Sequence, residues 1–120
     1  MYKLINRYFS YKDERGVIEG LVNFGNWQEI NIITSYQNTV RGGHFHKKTK
    51  ELFYILKGQI KAELYDVNSA DKKETVILNE GDIFLIEPYT LHTFTMLTDS
   101  QWINMLSIKN DETSPDIHKL

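Results

Sequence analysis

Four histidines occur in this 120-residue chain, and two of them, His44 and His46, stand one residue apart. Glu51 follows after four further residues, and His92 opens a later alternating stretch. On a strand, residues i and i+2 share a face, so both imidazoles point one way and Phe45 points the other. A turn after His46 brings Glu51 back beside them, at the head of a run whose same-face neighbours are Phe53 and Ile55. His92 likewise leads Phe94 and Met96. A carboxylate heading an apolar face is costly unless it is paired, hydrogen-bonded or bound to a metal. His44, His46, Glu51 and His92 are therefore a candidate site for a divalent ion. Imidazole suits Zn, Fe, Ni and Cu, and a mixed His/Glu set leaves positions open for water or substrate. His44 and His46 are equally candidates for a metal-free acid/base pair, since imidazole titrates near neutrality. Arg41, Lys47, Lys48 and Lys50 surround the pair. They suit a small anionic ligand better than a polymer, although three lysines alone read as a solvated loop. His118, in a polar tail, is not expected to be a ligand.

The elements that must position these residues read as strands and turns. "EINIITSY" (29–36) is β-rich, and "ELFYILKGQIKAELYD" (51–66) reads as two strands joined at Lys57-Gly58. Its alternation puts Glu51, Phe53 and Ile55 on one face, then Ile60, Ala62 and Leu64. "NSADKK" (68–73) is a polar loop. "TVILNEGDIFLIEP" (75–88) gives two strands broken at Glu80-Gly81, "HTFTMLT" (92–98) alternates cleanly, and "QWINMLSI" (101–108) is the last strand. No segment holds a capped 3.6-residue apolar period. Many short strands at near-regular spacing predict an all-β sandwich or barrel in a single domain, 1–108, with a polar tail, 109–120. A net charge of −2 argues against a general nucleic-acid binder. The absence of cysteine removes disulfides, thiolate ligands and a Cys nucleophile. No run has the length of a signal or a membrane span, so a cytoplasmic location is the expectation. Aromatic residues crowd the N-terminus (Tyr2, Tyr8, Phe9, Tyr11), and a homodimer paired through N-terminal strands is expected.

"HFHKKTKELFYILKG" has the form H-x-H-x4-E-x6-G, and "GDIFLIEPYTLH" follows it. The pair resembles the two motifs of the cupin superfamily, small double-stranded β-helix (jelly-roll) barrels. The resemblance implies a metal held by His44, His46, Glu51 and His92. Asn38 and Tyr89 stand where the motifs usually have Gly, Glu87 stands at the usual Pro position, and Met96 where Asn is common. "YKDERGVIEGLVNF" followed by "INIITSYQNTVRGGHFHKK" is similar, more narrowly, to small cupins of sugar-nucleotide pathways. These are the deoxythymidine-diphosphate-sugar 3,5-epimerases and the 4-keto-sugar 3,4-ketoisomerases. Glu51 and His92 together also resemble the metal-holding cupin domains of capsular-polysaccharide enzymes. The resemblance implies Arg41 at a nucleotide diphosphate, with Lys47 adding charge, and His46 or His44 taking a proton next to a ketone.

Moving a proton α to a carbonyl needs a base near neutrality and a means of stabilising the enolate oxygen, either fixed donors or a Lewis-acid ion. A nitrogen bound to an ion cannot also be the base, so the two roles of His44 and His46 compete. With a metal present, Tyr36, Tyr54 and Tyr89 are the alternative proton carriers. The expectation is a sugar-nucleotide isomerase or epimerase of surface-polysaccharide synthesis holding Zn, Ni, Mn or Fe. A cupin metal-dependent oxygenase and a non-catalytic sugar-binding or sensor domain are the alternatives.

Overall fold

The computed structural model describes residues 1–69 and 71–120; Ala70, in the expected 68–73 loop, lies outside the described residues. Among those residues the chain forms strands and no helix. They are β1 (Tyr2–Ile5), β2 (Phe9–Asp13), β3 (Gly16–Gly20), β4 (Glu29–Ser35), β5 (Val40–His44), β6 (Glu51–Lys57), β7 (Ile60–Asp66), β8 (Lys73–Leu78), β9 (Ile83–Ile86), β10 (Thr90–Met96) and β11 (Ser100–Leu106). The breaks expected at Lys57-Gly58 and Glu80-Gly81 separate β6 from β7 and β8 from β9. Gly58 and Gly81 both take positive φ there, 97° and 91°, which favours glycine in such turns. The sequence reading expects N-terminal strands without assigning their bounds; they are β1, β2 and β3.

Strands β4 to β11 make two antiparallel sheets, ordered β4-β11-β6-β9 and β5-β10-β7-β8. This is the jelly-roll order of the expected cupin barrel. β1 extends the first sheet beyond β9, and β2 pairs only with β3 among the described residues. The two inner faces enclose Phe53, Ile55, Ile60, Ala62, Leu64, Leu78, Phe84, Phe94, Met96 and Trp102. Phe53 packs 5.2 Å from Phe94 and from Trp102, centroid to centroid, and 5.5 Å from Phe84. Aromatic rings thus fill the middle of the barrel.

The inward rows change character at one end. Glu51 continues the row of Phe53 and Ile55, His92 that of Phe94 and Met96, and Asn104 that of Trp102. All three polar residues are buried. Because side chains alternate with a period of two, the same registers that build the apolar core aim these three at a common space. Leu52 is also buried, with Ile83 and Leu85, because Leu21, Val22 and Trp27 cover the outer face of this sheet. The sequence reading had placed only the Glu51 row inside.

Two departures from regular pairing shape that end. His92 pairs with His44, but Thr93 pairs with Gly42, so Gly43 is the extra residue of a β-bulge. Gly42 and Gly43 have φ of 89° and 75°, and a Cβ on Gly42 would lie 2.5 Å from the His92 carbonyl oxygen. The second departure is the end of β5 at His44. His46 lies beyond the strand, and Phe45 forms an isolated bridge with His118. The C-terminal segment thereby folds back over the loop that carries His46.

Candidate metal centre

Each of the four expected ligands arrives on a different support. His44 ends β5, just after the bulge. His46 sits in the following loop, whose backbone is pinned where Tyr89 N–H donates to the His46 carbonyl at 2.7 Å. Glu51 opens β6, and His92 lies in β10 opposite His44. Together they offer ligand atoms that all lie within 4.8 Å of one another. Ring centroids are 5.1 Å apart for His44 and His46, 4.7 Å for His44 and His92, and 5.4 Å for His46 and His92. Glu51 Oε1 contacts His46 Nε2 and lies 3.6 Å from His92 Nε2. His46, Glu51 and His92 are buried; His44 is half-buried and the most open of the four.

The surroundings orient these groups. His92 Nδ1–H donates to the Thr90 carbonyl at 2.9 Å, and His46 Nδ1–H donates to the Asp116 carbonyl. Since a carbonyl only accepts, both rings present Nε2 to the cluster. Asn104 Nδ2–H donates to Glu51 Oε2 at 2.8 Å, leaving Oε1 to face the imidazoles. Asn31 Nδ2–H in turn bonds Asn104 Oδ1 and Glu29 Oε2, both at 2.9 Å. Among the described residues no buried side-chain polar atom lacks a partner.

Electrostatics ready the cluster for a cation. Burial pushes the His92 imidazole down to about 4, against the pull of Glu51. Burial, and then the charge of His46, also lowers His44. Both are therefore neutral at pH 7, with lone pairs free for an ion. Burial pushes Glu51 up, but the His46 hydrogen bond and the nearby imidazoles outweigh it and hold the carboxyl below its usual range. His46 goes the other way: burial lowers it, and the Glu51 hydrogen bond and charge more than reverse this. An ion would replace that one proton. Three imidazole nitrogens and one carboxylate oxygen, with orienting partners already in place, fit Zn, Ni, Mn or Fe.

A cavity of about 550 Å³ adjoins the cluster. His44, His46, Lys47 and Glu51 line it, as does the folded-back segment from Ile108 to His118. Arg41 does not line it. Its Nε–H donates to Ser35 Oγ at 2.6 Å and its terminal NH2 to the Thr34 carbonyl at 3.2 Å, linking the edge strands β5 and β4. Tyr36, Tyr54 and Tyr89 do not line it either. Tyr36 is 71% exposed, Tyr54 packs on the outer face of the sheet, and Tyr89 tilts against Phe45. Both ring nitrogens of His46 are engaged, so His44 is the better placed of the two for a metal-free base. Asn104 and Asp116 are the partners that sequence reasoning missed. Asn104 carried a signal, a polar residue on the inward face of β11; Asp116 carried none.

The sequence matches the family described as polysaccharide biosynthesis C-terminal domain over residues 11–117. No curated protein matches the chain. Similar solved structures include a sugar 3,4-ketoisomerase from Thermoanaerobacterium thermosaccharolyticum in complex with TDP. It is 21% identical, with 99% of this chain and 88% of that one covered and a TM-score of 0.77. A 3,4-ketoisomerase from Helicobacter canadensis is 19% identical, with 99% and 90% covered and a TM-score of 0.82. The capsular polysaccharide assembling protein CapF from Staphylococcus aureus is 19% identical at a TM-score of 0.71; 98% of this chain matches 34% of that one. At these identities the likeness establishes the shared barrel.

Proposed function

The chain belongs to the polysaccharide biosynthesis C-terminal domain family, and from that premise we propose that it is a metal-binding isomerase or epimerase of nucleotide sugars. Its substrate would be a 4-keto sugar carried on a nucleoside diphosphate, the chemistry of the TDP-4-keto-6-deoxyglucose held by a mutant of the ketoisomerase it resembles, in surface-polysaccharide synthesis. The observation that carries the reading is the convergence of His44, His46, Glu51 and His92 beside a lysine-lined cavity at the barrel mouth. These four residues would hold the ion, which when bound supplies a Lewis acid for a ketone or enolate oxygen. The Thr90 and Asp116 carbonyls keep two imidazoles in the ligating tautomer, and Asn104 keeps Glu51 to a single free oxygen. Lys47 and Lys48 add positive charge at the cavity, and Arg41, which lies outside its lining, would leave Ser35 and Thr34 to clamp the diphosphate with its guanidinium fork. We place the reaction in the cytoplasm and the active form as a homodimer.

The test is solvent-deuterium incorporation into a keto-sugar nucleotide, with and without chelator. Metal content is read alongside for single Ala or Gln variants of the four ligands. Loss of exchange with chelator, and of metal in each variant, is expected. Removing the ion should also lower the melting temperature, because it binds the folded site and not the unfolded chain. A protein that takes up none of Zn, Ni, Mn and Fe would overturn the reading. Exchange indifferent to chelator but abolished in His44→Asn would move the chemistry to a bare imidazole.

A further inference from the structure

The C-terminal segment reaches the four-residue cluster directly at one point and through a chain of side-chain bonds at a second. At the first, the Asp116 carboxylate is held by the loop that carries His46. Oδ1 accepts from Lys47 N–H at 3.0 Å and also meets His118 Nε2 at 2.9 Å. Oδ2 accepts from Lys48 N–H, Thr49 N–H and the Thr49 hydroxyl, each at 2.9 Å. The main-chain carbonyl of the same residue accepts from His46 Nδ1–H. At the second, Asn110 N–H donates to Glu29 Oε1 at 3.0 Å. Glu29 is the end of the chain of side-chain bonds that runs through Asn31 and Asn104 to Glu51. Phe45 and His118 close the arrangement with two backbone bonds, 2.9 and 3.0 Å.

We infer that Asp116 is a positioning residue: its carboxylate pins the C-terminal segment to the 47–49 loop, so that its own carbonyl fixes the His46 ring with Nε2 toward the ion. Ion affinity and docking of the segment are then reciprocally linked, since whatever favours one favours the other. The segment is thus a working part of the centre and not an appendage to the barrel. This rests on the metal reading above.

Zinc affinity, measured by competition with a chromophoric chelator, tests it in the full-length protein. Asp116→Ala removes five contacts at the carboxylate, four from the 47–49 loop and one from His118, but leaves a carbonyl at position 116. Asp116 is not one of the four residues whose ligand atoms converge, and both its oxygens are held by the loop, so a change in affinity is not the loss of a direct ligand. Loss of a partner that orients a ligating histidine typically weakens metal binding about 10–100-fold, and that range is expected. Glu112→Ala makes the same charge change in the exposed part of the segment and should leave affinity unaltered. In the wild type, zinc should slow amide hydrogen exchange at Lys47, Lys48, Thr49 and His118. In the zinc-loaded protein the His46 Nδ1–H should be protected from solvent, and should lose that protection in Asp116→Ala. Equal zinc affinity in folded wild type and Asp116→Ala would defeat this inference alone. So would exchange rates that zinc leaves unchanged. If Asp116→Ala does not fold, Thr49→Val, which deletes one of the four bonds from the loop, must still weaken zinc binding a few-fold; unaltered binding overturns the proposal. A wild-type protein that binds no zinc, nickel, manganese or iron would instead defeat the metal reading itself, and this inference with it.

Discussion

His92 is 1% exposed, and its depressed basicity makes the metal-free protein sensitive to acid in a defined direction. An unfolded imidazole takes up a proton near pH 6.5, whereas the folded His92 does so only near 4, because of burial. Between those values the unfolded chain binds more protons, so stability falls as pH falls, by up to about 3 kcal/mol, and levels off below. His44, also lowered by burial, adds in the same direction. His46 is raised, so its contribution is present at low pH and is lost as pH rises through its folded value. Glu51 is lowered, and its contribution disappears as pH falls through its folded value. Urea unfolding of metal-free protein at pH 7 and 4.5 should show the loss, and His92→Gln should show a smaller one; equal slopes would remove His92 as the source. Arg41 makes a second prediction at this scale. Arg41→Ala should weaken binding of a nucleotide-diphosphate sugar about 10–100-fold, the worth of a charge-assisted hydrogen bond, with metal content intact. Arg41→Lys should restore only part, since a point charge lacks the fork. Calorimetry showing unchanged affinity in both variants would detach Arg41 from the substrate.

The bulge in β5 is the element on which the histidine cluster turns. Were Gly43 an ordinary paired residue, the ladder from Phe94 and Arg41 onward would set Gly43 opposite His92 and His44 one residue out of register. Gly42→Ala should therefore do two things. Its positive φ and the contact with the His92 carbonyl should cost about 1–3 kcal/mol, and the shift of His44 should weaken zinc binding. Gly43→Ala has the strained φ but open space around its Cβ, so it should cost less; chemical unfolding of the pair gives the order, and the reverse order would put the constraint elsewhere. How much of this was legible in sequence depends on the element. Alternation in 51–66 and 92–98 disclosed β6, β7 and β10, and with them the inward rows headed by Glu51 and His92. The Gly-Gly pair before His44 was visible, but its meaning as a bulge depends on a partner strand roughly fifty residues away in sequence. The motif departures at Asn38 and Tyr89 coincide with the two non-glycine residues of positive φ among the described residues, 68° and 61°. The backbone there keeps a conformation that glycine adopts more freely. The C-terminal segment has no periodic pattern, and its hold on the site comes from the Asp116 carboxylate and carbonyl and from backbone bonds of Asn110 and His118, which composition does not disclose. The N-terminal strands were expected from their aromatic residues, but the bounds and pairing of the β2–β3 hairpin were not legible, since its apolar residues are exposed and show no buried row.

That hairpin bears on the whole molecule, whose extents are 51 × 31 × 29 Å. β2 and β3 pair with each other and, among the described residues, with no other strand. Tyr11, Val17 and Ile18 on them are 56–61% exposed. β4 is an edge strand of the larger sheet, and its Ile30 and Ile32 are 67% and 64% exposed. An unprotected apolar edge and an apolar ribbon without a partner are each a liability for a lone subunit. They answer one another if two copies exchange hairpins about a twofold axis, since an isologous contact then covers both surfaces twice. The expectation is a dimer of twice 14.1 kDa by light scattering at micromolar concentration. Ile18→Glu on the hairpin and Ile30→Lys on the edge strand should each shift it toward the single chain, with the zinc content of the barrel unchanged. Combining the two opposite charges should restore part of the dimer if the two surfaces meet. A wild-type mass of one chain would refute the pairing. A dimer indifferent to both substitutions would move the interface to another face of the barrel.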